Sequence, residues 1–166
     1  WERAMRRADL PLSYSLGFHP QPKISLAAAL PLGFSSLGEV LDVRFNEEIP
    51  VAEIAARLKE NLPPNIQVTK VESVSERAPA LQTQVLSAMY DVHLTEPVDE
   101  SGLKQKVEEL MTSESLPRER RGKLYNLRPL IEMLNVVKQA NGNIWLQMTL
   151  SAQDAATGRP EEVLNA

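Results

Sequence analysis

Apolar residues recur along this chain at helical and at strand spacing, and the switches between the two divide it into elements. Trp1 to Ala8 is helix-forming and ends at Leu10-Pro11, because the residue before a proline is pushed out of the α region. Leu12 to Ser15 reads as a short strand. Gly17 to Lys23 holds Pro20 and Pro22, which fix φ and remove N–H donors, so an extended, polyproline-like loop is expected. Ile24 to Leu30 reads as a buried returning strand and Pro31 to Gly38 as a turn-rich connection. Glu39 to Phe45 alternates as a strand, with Val40, Val43 and Phe45 toward the core. Glu53 to Leu62 spaces Ile54, Leu58 and Leu62 for a helix that Pro63-Pro64 stops, and Ile66 to Val74 suits another strand.

Ser75 to Leu86 is polar, contains Pro79 and reads as a linker. Beyond it Ala88 to Leu94 is a strand. Asp99 is placed to cap a helix running to Met111, with Leu103, Val107, Leu110 and Met111 on one face. Leu130 to Gln139 fits a strand or a helix by itself. Its pairing with Ile144 to Leu150 across Ala140-Asn141-Gly142-Asn143 favours a hairpin. Pro160, with Glu161 and Glu162 beside it, opens a last helix as the helix dipole prefers. The expected class is α+β, as two ferredoxin-like subdomains of the β-α-β-β-α-β type, the first lacking its opening strand. They span residues 1–75 and 87–166, joined by residues 76–86.

Composition narrows the chemistry. Apolar residues make up 43% and aromatics only 5%, so the cores must be built chiefly from Leu, Val, Ile and Ala. The absence of cysteine removes disulfides, thiolate zinc sites and cysteine-ligated iron–sulfur clusters, and fits a reducing, cytoplasmic setting. The longest apolar run, Ile24 to Phe34, is interrupted by Pro31 and falls short of the roughly 20 residues of a membrane span. A start at Trp1, inside a helical pattern, is expected of a piece of a longer protein. No P-loop, Gly-rich dinucleotide loop or Ser-His-Asp arrangement is present, and the two histidines stand far apart. Neither a metal nor a cofactor is expected.

The stretch Tyr14-Ser15-Leu16-Gly17-Phe18-His19-Pro20-Gln21-Pro22-Lys23-Ile24-Ser25, followed by Leu30-Pro31-Leu32-Gly33 and Glu39-Val40-Leu41-Asp42-Val43, is distinctive. It resembles the bacterial family of uncharacterised radical-SAM-linked proteins. The basic helix Arg3 to Ala8, Leu116 to Lys123, Leu127 to Ile131 and Arg159 to Leu164 are similar to the same family. The resemblance implies fusion to, or gene neighbourhood with, a radical SAM protein that often carries a cobalamin-binding region. It implies no activity for this chain, which lacks the three cysteines of a radical SAM cluster. The cobalamin-like echo Asp91-Val92-His93 has Glu96 where such motifs place glycine, and sits in a strand pattern.

Three groups of residues are candidates for binding. The first is the loop with Tyr14, Ser15, Gly17, Phe18, His19, Lys23 and Ser25. His19 and Lys23 could contact phosphate, Phe18 or Tyr14 could stack on a base, and Gly17 permits close approach of a ligand. A proline-locked connection with Phe18 filling a core gap explains the same residues. The second is Arg118, Arg120, Arg121, Lys123 and Arg128, opposed only by Glu119. Guanidinium forks suit phosphate oxygens, whereas charge also protects an edge strand. The third is Arg3, Arg6 and Arg7 on the first helix, which a solvated helix surface also accounts for. Together they lead to the expectation of a non-catalytic RNA-binding or substrate-presenting module that works with a radical SAM enzyme. The alternatives are a protein adaptor docking that enzyme through Leu30 to Leu37, and an enzyme using Tyr14, His19 and Lys23.

Overall fold

Two hydrophobic cores form, one in each of two units, Trp1–Gln84 and Val85–Ala166. The computed structural model describes residues 1–153 and 156–166. Mixed helix and strand content makes the chain an α+β protein.

In the first unit, α1 (Glu2–Arg7) buries Ala4 and Met5, and α2 (Val51–Asn61) buries Ile54 and Leu58. These join Ala8, Leu10 and Leu12 in one core. Two side chains tie the helices at their ends. Arg7 donates to the Asn61 carbonyl at 2.7 Å, and Arg57 donates to the Asp9 carbonyl at 2.8 Å. Both contacts place a cation on backbone carbonyls that a helix terminus leaves unpaired.

Strand structure here is sparser than the apolar pattern suggests. β1 (Ile24–Leu26) and β2 (Leu41–Val43) form a two-stranded antiparallel ribbon with Ile24 opposite Val43. The expected strand Leu12 to Ser15 is reduced to isolated bridges, Leu12 to Phe45 and Tyr14 to Pro22. The strand expected over Ile24 to Leu30 stops at Leu26, and Leu30 is exposed. Val40 is also exposed, whereas Val43 and Phe45 pack on the core as expected. Ile66 to Val74 is no strand; Val68 and Val71 touch the core from irregular backbone. Prolines at 20, 22 and 31 withhold ladder donors from this region, so the ribbon stays short. A short helix, α3 (Leu81–Gln84), lies within the expected linker.

The second unit follows its pattern more closely. β3 (Ser87–His93) leads to α4 (Glu100–Thr112), whose Asp99 cap accepts from the Ser101 and Gly102 amides at 3.1 and 3.0 Å. Leu103, Val107, Leu110 and Met111 all pack on the core. β4 (Pro117–Arg120) and β5 (Lys123–Asn126) form a hairpin, so the basic stretch is strand as its edge-strand reading expects. A 3-10 turn, Arg128–Leu130, precedes β6 (Ile131–Lys138) and β7 (Ile144–Gln153). β8 (Ala156–Thr157) pairs with the end of β7, and α5 (Pro160–Leu164) buries Val163. The main sheet has the antiparallel order β3-β7-β6. Among the described residues the first unit has only β1 and β2 and does not complete the β-α-β-β-α-β order, while the second runs β3, α4, β4 to β8 and α5.

The β6–β7 hairpin closes through Gln139, whose N–H reaches the Asn143 carbonyl at 2.9 Å, with Gly142 at φ +85°. The Asn-Gly pair therefore serves a three-residue loop with glycine in the left-handed position, not a two-residue turn. Among the described residues no helix is long and apolar enough to cross a membrane.

Candidate functional site

The basic stretch on β4 and β5 is taken up largely by the protein itself. Alternation turns Arg118 and Arg120 to the inner side of the hairpin, as the strand period requires. Arg118 donates to the Glu162 and Asn165 carbonyls at the end of α5, at 3.5 and 3.3 Å. Arg120 pairs with the Glu162 carboxylate through Nε at 2.9 Å and through Nη2, and donates to the Thr157 carbonyl at 3.1 Å. Its guanidinium also lies 5.0 Å from the centre of the Tyr125 ring. Arg128 donates to the Met111 carbonyl at 2.8 Å and the Ile131 carbonyl at 2.9 Å, joining the end of α4 to the start of β6. These three arginines hold elements together.

Arg121 and Lys123 remain exposed, with no ion pair among the described residues. Arg121 (φ +53°) and Gly122 (φ +76°) form the two-residue turn between β4 and β5, both in the left-handed region that a type I′ turn demands. A cavity of about 250 Å³ nearby is lined by Arg120, Lys123, Tyr125, Leu130, Ala156 and Thr157. Burial pushes the Glu162 carboxyl up, but hydrogen bonds from Arg120 and Tyr125 and the Arg120 charge outweigh it and hold it below the usual range. Burial and the bond to Glu162 push the Tyr125 phenol up. The sequence marks Glu162 only as a second acidic residue in the first turn of α5, beyond what the helix dipole needs.

In the first unit the candidates separate into engaged and free groups. Arg6 donates to the Tyr14 hydroxyl at 3.1 Å, pairs with Glu2 at 2.8 Å and lies over the Tyr14 ring. Its pKa is raised, first by the Tyr14 hydrogen bond. Arg7 is spent on α2, and the Ser15 hydroxyl accepts from the Gln21 amide at 2.9 Å, bracing the loop. Ser25 is half-buried in β1. Arg3, His19 and Lys23 are exposed and their side chains make no hydrogen bond or ion pair among the described residues. Gly17 has open space around it.

Phe18 does not fill a core gap: it is 102% exposed, and Leu16 beside it is 100% exposed. Across the connection from β1 to β2, Leu32 and Leu37 are 103% and 98% exposed. Leu30 and Val40 are exposed as well. Leu16 is absent from the candidates that charge and polarity mark, and its signal is an apolar residue in a loop between serine and glycine with no periodic partner. Such side chains mark an interaction surface where they gather into one patch, and singly they are ordinary.

The family model described as uncharacterized protein conserved in bacteria (DUF2344) matches residues 1–160. No curated protein and no solved structure matches the chain.

Proposed function

This chain belongs to the DUF2344 family of bacterial proteins, and from that premise we propose that it is a non-catalytic adaptor that docks a protein partner through the apolar loops of its first unit. The partner is a radical SAM protein, the association that the Tyr14 to Ser25 signature implies. The observation that carries the reading is the full exposure of Leu16, Phe18, Leu32 and Leu37 on the two segments flanking β1. Burying such side chains contributes about 1.5–3 kcal/mol each, so a few of them suffice to anchor a partner. Pro20, Pro22 and the Ser15–Gln21 bond restrain the segment in advance, which lowers the entropy lost on docking.

The geometry favours this over an RNA-presenting role. Arg118, Arg120 and Arg128 donate to carbonyls and a carboxylate, and Arg6 and Arg7 are likewise engaged. An RNA surface would then rest on Arg121 and Lys123 in one unit and Arg3 and Lys23 in the other. The test is titration calorimetry of the chain with the radical SAM protein and, separately, with an RNA pool. Phe18→Asp with Leu32→Asp abolishes binding to the protein, while Arg121→Glu with Lys123→Glu leaves it intact. Steeply salt-dependent RNA binding that the second pair removes would overturn the reading.

A further inference from the structure

The main sheet of the second unit leaves one edge open. β3 pairs with β7 on one side, residue for residue from Ser87 opposite Ser151 to His93 opposite Trp145, and among the described residues with no strand on the other. Which backbone groups face that edge follows from one bond. The Ala152 amide donates to the Leu86 carbonyl at 2.9 Å, so Leu86 belongs to a bonded pair with β7. Antiparallel alternation then assigns Ala88, Tyr90 and Val92 to bonds with β7, and turns the N–H and C=O of Ser87, Met89, Asp91 and His93 outward. The Ser151 carbonyl, which accepts from the Gly158 amide on the opposite side of β7, obeys the same alternation.

This edge is lightly protected. An exposed edge strand is normally guarded by charge, proline or a bulge; Ser-Ala-Met-Tyr-Asp-Val-His has no proline, lysine or register shift, and its one charge, Asp91, accepts from Gln147 of β7. The opposite edge differs: β6 has a register shift between Ile131 and Met133 and ends in Lys138. The side chains of Ser87, Met89, Asp91 and His93 are exposed, so they do not shield the backbone beside them by packing over it.

We propose that β3 pairs antiparallel with β3 of a second copy of this chain, about a two-fold axis beside Tyr90. A two-fold axis allows only registers that set outward-facing residues against outward-facing residues. Centring on Tyr90 sets Ser87 opposite His93 and Met89 opposite Asp91, using the whole strand and about eight backbone hydrogen bonds. No like charges meet in it. Moving the centre to Asp91 would oppose two carboxylates, and moving it to Met89 would leave His93 unpaired. On the inner face Ala88 meets Val92, prolonging the apolar stripe of each core. Asp91 already accepts from Gln147 at 3.0 Å, which keeps its charge turned along its own sheet. The complementarity is that of a strand for itself, as a closed two-fold interface requires.

The experiment exploits the absence of native cysteine. Met89→Cys and Asp91→Cys chains are prepared separately, mixed and oxidised, and sedimentation equilibrium is run on the unmodified chain at micromolar concentration. The expected results are a dimer of the unmodified chain and a disulfide-linked dimer from the mixture, with far less from either variant alone. Met89→Pro, which removes an outward N–H and none that bonds β7, yields a monomer with unchanged circular dichroism. A monomeric unmodified chain overturns the proposal, as does a dimer that survives Met89→Pro or gives no crosslink between 89 and 91. So does a dimer lost in Phe18→Asp, since the copies would then meet through the docking loops.

Discussion

Arg120 and Glu162 show how a residue that reads as a ligand contact is spent on the fold. Their side chains are 26% and 20% exposed, and the pair joins the β4–β5 hairpin to α5. Arg120→Ala leaves a largely buried carboxylate without its cation, and should lower stability by about 1–3 kcal/mol in urea unfolding. Arg121→Ala, at an exposed turn, should not approach that loss. The sign of the pH dependence follows from the carboxylates. Glu162 is held low in the folded chain, so its contribution is complete above its unfolded value and is lost as pH falls through the folded one. Glu100 is lowered from 4.5 to about 2, first by hydrogen bonds from Lys104 and Lys138. Its stabilisation is therefore present above 4.5 and fades from there down to about 2. Carboxyl titration by nuclear magnetic resonance should find Glu100 ionising near the lower value, and Lys138→Met should raise it.

Among the elements, the β4–β5 hairpin turns on a residue in the left-handed region. Arg121 sits at φ +53°, where a non-glycine side chain is strained and asparagine is better tolerated. Arg121→Asn should thus raise stability by about 0.5–1 kcal/mol in thermal unfolding; a loss would show that the turn has another geometry. Asp99→Ala should cost about 1 kcal/mol by freeing the Ser101 and Gly102 amides. What could be read in advance was what repeats. The face Leu103-Val107-Leu110-Met111, the Asp99 cap and the Asn-Gly hairpin are local patterns, and each is present. Strand formation in the first unit was legible only in part: β1 and β2 lie within the expected strands, but alternation at Ile66 to Val74 identifies a half-buried segment and supplies no partner for its backbone. Charge was equally ambiguous: nothing local distinguishes Arg128, which holds Met111 and Ile131, from Arg121, whose side chain has no partner among the described residues.

For the molecule as a whole, the two units divide the work, each with its own core. Arg118, Arg120 and Arg128 form internal joints of the second, while the first leaves Leu16, Phe18, Leu32 and Leu37 in solvent. Because Phe18 and Leu32 touch no core, Phe18→Ser and Leu32→Ser should change stability by less than about 0.5 kcal/mol. The direct test of docking is hydrogen–deuterium exchange on the full chain with and without the radical SAM protein. Slowed exchange confined to residues 16–40 is the predicted result. Unchanged exchange there, with protection over residues 117–128 instead, would contradict the account.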